Sequence, residues 1–164
     1  MNYLNQPEKI ALHNWTSWKI LIRAIIRSQG DFSLILARCN CRNLREGIVQ
    51  QLQERSPVEI RELVLDRSVK TLYTTIFEEL GDEQPSAMMV SSLESVSSLD
   101  QLLVATNQVR EEFRNLACPL VLWVTDEVLR KLIRLVPDFE NWATSVEFSG
   151  AAVESAHAVE IEAA

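Results

Sequence analysis

The chain has 164 residues, of which 47% are hydrophobic and 24% are charged, a composition that fits one globular domain with a substantial core. Its net charge of −7 at pH 7 argues against binding to duplex nucleic acid, because such binding relies on Lys and Arg that neutralise phosphates. No apolar run reaches the roughly 20 residues that cross a bilayer, and residues 1–6 lack the basic and apolar regions of a signal peptide. We therefore expect a cytoplasmic protein that does not contact a membrane.

The charge is unevenly distributed along the chain. Residues 1–70 carry 11 Lys and Arg against 7 Asp and Glu, whereas residues 71–164 carry 5 against 16. Arg38, Arg42 and Arg45 cluster around the end of the first predicted strand and would form a local basic patch. A solvated face around a helix start explains them more simply, so a nucleic-acid-associated accessory factor is only a third hypothesis for function.

The first predicted element is a helix over residues 7–29. Its apolar side chains recur at spacings of three and four, at Ala11, Trp15, Trp18, Ile22 and Ile25. Such a helix before the first strand covers a sheet or, with two Trp residues available, a partner protein. Because Trp is enriched at the centres of protein interfaces, Trp15 and Trp18 are the candidate partner-binding residues.

The rest of the chain alternates between strand and helix patterns. The predicted strands are residues 32–39, 59–65, 87–93, 120–124 and 145–148, and the apolar helical stripes between them cover 44–52, 69–80, 99–113 and 128–136. Asn43 with Glu46 and Ser98 with Gln101 have the spacing of capping boxes at the starts of two of these helices. Pro137 ends the last helical stripe.

This alternation with short connections predicts an α/β fold, a three-layer sandwich around a five-stranded, mainly parallel sheet with a leading helix. We expect residues 1–150 to form one domain, with the leading helix in residues 1–30 and the sheet core in 31–150. Residues 151–164 are rich in Ala, Val and Glu and are predicted to be a disordered tail. The pattern is compatible with two strand orders, 5-1-4-3-2 and 2-1-3-4-5.

The carboxyl ends of parallel strands are where such folds hold ligands, yet the first strand ends in RCNCRNLRE, without the Gly and Lys of a phosphate-binding loop. Arg42 and Arg45 at the following helix start could still meet an anion. Glu94 follows the third strand, where an acid would hold Mg²⁺ through water. Thr125 and Asp126 end the fourth strand, where a polar residue could sense a phosphate, although capping the next helix is their simpler role.

The Cys and His residues do not form a recognisable reactive site. Cys39, Cys41 and Cys118 are odd in number and are expected to be reduced thiols. A zinc site would need a fourth ligand, whereas His13 lies in the first helix and His157 in the tail. We therefore predict no metal and no catalytic residue.

Three segments together resemble a known bacterial domain. They are DFSLILARCNCRNLREGIVQQL, SSLES and CPLVLWVTDEVLRKLIRLVPDFENWATSVEF, within residues 31–148. They are similar to the STAND-like, AAA-related NTPase domain that precedes tetratricopeptide repeats in cyanobacterial and other bacterial signalling proteins. The resemblance implies a P-loop-NTPase-like sheet in the order 5-1-4-3-2 and a role in regulated assembly or in sensing a partner. This chain departs from the family in lacking the phosphate loop and a following repeat array, and only Glu94, Thr125 and Asp126 match positions that do chemistry in active relatives.

The leading hypothesis is a non-catalytic, NTPase-like interaction or adaptor domain that binds a protein partner and needs no cofactor. The alternative is a weak nucleotide-binding switch or low-activity NTPase that binds ATP and Mg²⁺ around Arg42, Arg45, Glu94 and Asp126.

Overall fold

A computed structural model describes residues 5–150 of the chain. Its sheet has five parallel strands: β1 Ser33–Cys39, β2 Ile60–Val64, β3 Ala87–Ser91, β4 Pro119–Val124 and β5 Thr144–Phe148. Their order is β2-β3-β4-β1-β5, which is 5-1-4-3-2 counted from the other edge. The predicted P-loop-NTPase-like three-layer sandwich is therefore confirmed, and the alternative order 2-1-3-4-5 is wrong, because β1 pairs with β4 and not with β3.

Within the described residues, six α-helices flank the sheet: α1 Gln6–Arg27, α2 Arg42–Arg55, α3 Leu72–Leu80, α4 Leu99–Gln108, α5 Asp126–Leu135 and α6 Pro137–Trp142. The chain runs from β1 to the far edge at β2 and then returns through β3 and β4 to β5. Right-handed crossovers in opposite directions lie on opposite faces, so α2 is on one face and α3 to α6 are on the other. The leading helix α1 lies beside α2 and completes the cover of that face.

Two apolar cores result, one on each face of the sheet. The core under α1 and α2 contains Leu21, Leu52 and Trp123, whereas the core on the other face contains Phe113 and Phe139, whose rings meet edge to face at 4.9 Å. The central strands β1, β3 and β4 are buried almost throughout, and the edge strands β2 and β5 are partly exposed.

The buried face of α1 is rotated from the predicted stripe. Ile22 and Ile25 are buried as expected, but Ala11 and Trp15 are exposed, and Ile10 and Ser17 take their place. The reason is that the first half of α1 lies against the edge strand β5 and not over the middle of the sheet.

Three local predictions also need correction. The capping box at Asn43 is wrong, because α2 already begins at Arg42 with Cys41 at the N-cap position and without a side-chain cap. Ser98 does precede α4, but its side chain makes no cap hydrogen bond, and α4 ends at Gln108, so that Phe113 lies in the 3₁₀ helix Arg110–Asn115.

Pro137 ends α5 as predicted and also opens the short helix α6, which the sequence pattern did not indicate. The predicted tail, residues 151–164, lies outside the described residues. Of the helices described in residues 5–150, none combines the length and apolar character needed to cross a membrane.

Candidate functional site

The carboxyl ends of β1 and β4 lie where the strand order reverses, since the chain leaves β1 toward β2 but leaves β4 toward β5. In open parallel sheets this topological switch point is the usual position for a ligand. The structure places Thr125 and Asp126 at the end of β4, the start of α2 just beyond β1, and Glu94 in a 3₁₀ turn after β3. The predicted strand-end residues therefore share one edge of the sheet.

Arg45 and Glu94 form an ion pair at this edge. Arg45 Nη1 donates to Glu94 Oε1 at 2.5 Å, and Arg45 Nη2 donates to Ser92 Oγ at 3.4 Å. The Arg45 side chain is only 6% exposed and that of Glu94 is 30% exposed. Arg45 is the cation that would bind a nucleotide phosphate, and Glu94 is the acid that would bind Mg²⁺. Because the two are bonded to each other, an incoming anion would have to compete with the Glu94 carboxylate for Arg45.

Arg42 does not join this pair. Its Nε lies 3.0 Å from Glu46 Oε1, one turn further along α2, and both side chains are mostly exposed. Arg42 and Arg45 therefore do not converge on one anion site, although they are three residues apart.

Asp126 belongs to a second network, which ties β1 to its two neighbours. Its Oδ1 lies 2.6 Å from Arg38 Nε, while Arg38 Nη2 lies 3.3 Å from Glu147 Oε1 on β5. Asn40 Nδ2 donates to Asp126 Oδ2 at 2.9 Å, and the Asp126 N–H donates back to Asn40 Oδ1 at 2.8 Å. These contacts fix the ends of three strands and occupy the Asp126 carboxylate.

Thr125 caps α5, which confirms the simpler of its two predicted roles. Its Oγ1 accepts a hydrogen bond from the Val128 N–H at 3.2 Å, which satisfies one of the free amides of the first turn.

The three arginines of the proposed basic patch are each paired with a carboxylate. Arg38 contacts Asp126 and Glu147, and Arg42 and Arg45 contact the glutamates named above. Because Arg45 is also buried, these arginines do not form the continuous basic face that nucleic-acid binding requires.

The second candidate region is the outer surface of α1. Trp15 and Trp18 stack with ring centroids 5.6 Å apart and planes 7° apart, and Lys19 Nζ lies 5.6 Å from the Trp15 ring centroid. Trp15 is 49% exposed, whereas Trp18 is half-buried. Further large apolar side chains are exposed along the same helix at Leu12, Ile20 and Ile26.

A groove of about 400 Å³ lies beside the tryptophans, between α1 and α2. Trp15 and Trp18 line it from α1, Leu44 and Gly47 line it from α2, and Phe148 at the end of β5 contributes to it as well. We call this feature the α1/α2 groove. Trp15 and Trp18 thus contribute to one concave, largely apolar surface.

Sequence reasoning missed Asn14, which holds α1 to the sheet. Asn14 Nδ2 donates to the Ser149 carbonyl at 3.0 Å, and the Ser149 N–H donates to Asn14 Oδ1 at 2.8 Å. His13 Nε2 lies 3.1 Å from the Glu147 carbonyl oxygen. An Asn among apolar side chains of the first helix could have indicated a polar contact. The sequence could not identify its partner, which is 135 residues away.

The three cysteines are free thiols. Burial raises the pKa of Cys118 to about 11 and also raises the pKa of Cys39, so neither is a ready thiolate. Within residues 5–150, no group of three or more His, Cys, Asp or Glu side chains is arranged to hold a metal ion.

Comparisons with known proteins show a similarity to solved structures. No protein family and no curated protein sequence matches the chain. Among solved structures, the chain is similar to the DnaC helicase loader, with 10% sequence identity over 90% of this chain and 93% of that chain and a TM-score of 0.44. A similarity at this level gives no information about the activity or the partners of this chain.

Proposed function

We propose that the chain is a non-catalytic, NTPase-like interaction domain that binds a protein partner through α1, in bacterial signalling or regulated assembly. The observation that carries the proposal is the exposure of Trp15, a large aromatic side chain half in solvent beside the α1/α2 groove. Exposed apolar surface next to a concave feature is typical of protein-binding sites. The bacterial signalling context is supported by the resemblance to STAND-like domains.

The non-catalytic part of the proposal is supported by the Arg45–Glu94 ion pair. A nucleotide phosphate would need to displace Glu94 from a nearly buried guanidinium, and the loop between β1 and α2 supplies neither a glycine cradle nor a lysine. Both features weaken phosphate binding at the position where related folds hold it.

The alternative function is that of a weak nucleotide-binding switch. The position of Glu94 and Asp126 at the carboxyl edge of the sheet favours it. Calorimetric titration of the purified domain with ATP, ADP and GTP in the presence of Mg²⁺ separates the two functions. The adaptor proposal expects no heat up to millimolar nucleotide. Saturable binding tighter than roughly 100 μM, about −5.5 kcal/mol, that is lost in Arg45→Met would support the switch instead.

The adaptor proposal is tested by placing a photo-reactive amino acid at position 15 in cells of the source organism and identifying the cross-linked protein. The affinity of that protein is then measured with Trp15→Ala and with Val64→Ala, since Val64 is an equally exposed apolar residue on the distant edge strand β2. We expect Trp15→Ala to weaken binding at least about tenfold and Val64→Ala to leave it unchanged. A failure to cross-link any protein, or equal losses in the two variants, would refute the proposal.

A further inference from the structure

Gly47 lies in the middle of α2, where glycine is unfavourable. It costs a helix about 1 kcal/mol relative to alanine. Nothing in the fold requires it, because a Cβ at this position would meet no atom within 4 Å and the backbone is helical. What Gly47 provides is open space in the wall of the α1/α2 groove.

That open space allows another chain to approach the backbone of α2 closely. Trp15 and Trp18 form the wall of the groove on α1. On α2, Leu44 extends the apolar surface beside Gly47. A groove between two helices with apolar walls suits the apolar face of a third helix, which anchors side chains at spacings of three and four.

The charge on the exposed face of α1 indicates the sign of the charge that the occupant carries. Helix α1 carries four basic residues, Lys9, Lys19, Arg23 and Arg27, against one acidic residue, Glu8, although the whole chain has a net charge of −7. All four basic side chains are exposed, and within residues 5–150 none of them forms an ion pair. Lys19 lies beside Trp15 at the rim of the groove, whereas Arg23 and Arg27 line a separate cavity that Thr144 also lines.

We infer that the α1/α2 groove binds an acidic amphipathic helix of a protein partner. Its apolar side chains enter between Trp15 and Leu44, its backbone passes close to Gly47, and its acidic side chains face Lys19. An anionic membrane fits less well, because the groove is concave and the second half of the chain is strongly acidic. This inference rests on the proposed function and names the class of partner.

The probe for the test is a labelled synthetic peptide of about 20 residues, long enough to form a helix, with leucine on one face and glutamate on the other. Two comparison peptides replace glutamate by lysine or scramble the leucine positions. Fluorescence anisotropy with the full chain is expected to show the acidic amphipathic peptide binding at least about tenfold more tightly than either comparison peptide.

Two variants locate the binding. Gly47→Leu fills the groove and is expected to weaken binding of the acidic peptide at least about tenfold, whereas Gly47→Ala, the matched control, adds a single methyl group and is expected to weaken it clearly less. Lys19→Glu is expected to weaken binding of the acidic peptide and to strengthen binding of the basic one. Thermal unfolding of each variant verifies that it is folded.

The inference is overturned if the basic peptide binds as tightly, if Gly47→Leu has no effect, or if the chain binds phosphatidylserine vesicles and no peptide. Its failure can be told apart from failure of the proposed function. A partner cross-linked at position 15 that binds through a basic or non-helical segment would refute only the acidic-helix inference. Absence of any cross-linked partner would refute the proposed function.

Discussion

Arg45 donates a hydrogen bond to Glu94 across 2.5 Å and thereby joins the first turn of α2 to the turn that follows β3. The guanidinium is almost completely buried, whereas the carboxylate is partly open to water. Because of this asymmetry, loss of Glu94 leaves the buried Arg45 charge without its carboxylate partner. Loss of Arg45 leaves a carboxylate that water can solvate.

The asymmetry predicts how the pair responds to mutation. We expect Glu94→Gln to lower the free energy of unfolding by about 2 kcal/mol and Arg45→Met to lower it by less, since Met fills much of the same volume. In the double variant the two losses should not add, with a coupling of about 1 kcal/mol or more. Urea unfolding of the four proteins measures this coupling, and additive losses would show that the contact contributes nothing.

Two glycines are expected to respond to alanine in opposite ways. Gly47→Ala should stabilise the protein by about 0.5–1 kcal/mol, because it improves an exposed helix position without a clash. Gly81→Ala also meets no atom within 4 Å, yet it should destabilise by about 1–3 kcal/mol, because φ is 54° and ψ is −123° there. Thermal unfolding measures both, and a change of the same sign in the two variants would contradict the prediction.

The stability of the protein should fall in alkaline solution because of Cys118. Burial raises the pKa of this thiol from 9.0 to about 11, so between those values the unfolded chain loses a proton that the folded chain keeps. Stability from this group is complete below pH 9 and is lost as the pH rises toward 11, by about 2–3 kcal/mol.

The measurement compares wild type with Cys118→Ala under reducing conditions. The variant is expected to be less stable at neutral pH, because it loses buried volume, but its free energy of unfolding should decline less between pH 9 and 11. Other groups titrate equally in both proteins and cancel in the difference. Parallel pH profiles would show that the Cys118 pKa is not raised.

Asn14 is expected to contribute to stability through its two hydrogen bonds to the Ser149 backbone. Asn14→Ala should cost about 1–3 kcal/mol and speed hydrogen exchange at the Ser149 amide, because the α1 contact with the end of β5 is lost. Thr16→Ala is the control, since the Thr16 hydroxyl bonds only to the Leu12 carbonyl in the same helix. Equal effects of the two substitutions would refute a role for Asn14 in anchoring α1.

Spacing along the chain was enough to predict the five strands and most of the helices, although it did not predict the buried face of α1. The nearly continuous apolar run at residues 32–39 is typical of a strand covered on both faces, and the alternation at residues 59–65 is typical of a more exposed edge strand. It also placed Glu94, Thr125 and Asp126 at one edge, because the carboxyl ends of parallel strands meet there. These are local properties, readable from spacing along the chain.

The strand order and the pairing of side chains follow from the three-dimensional arrangement and not from the local sequence pattern. Both candidate orders leave β2 and β5 at the edges, so burial patterns could not choose between them, and the pairing of β1 with β4 did. The bond from Arg45 to Glu94 spans 49 residues and depends on how α2 lies over the end of β3. Contacts between elements far apart in sequence arise from packing in three dimensions, which the periodicity of a single element does not encode.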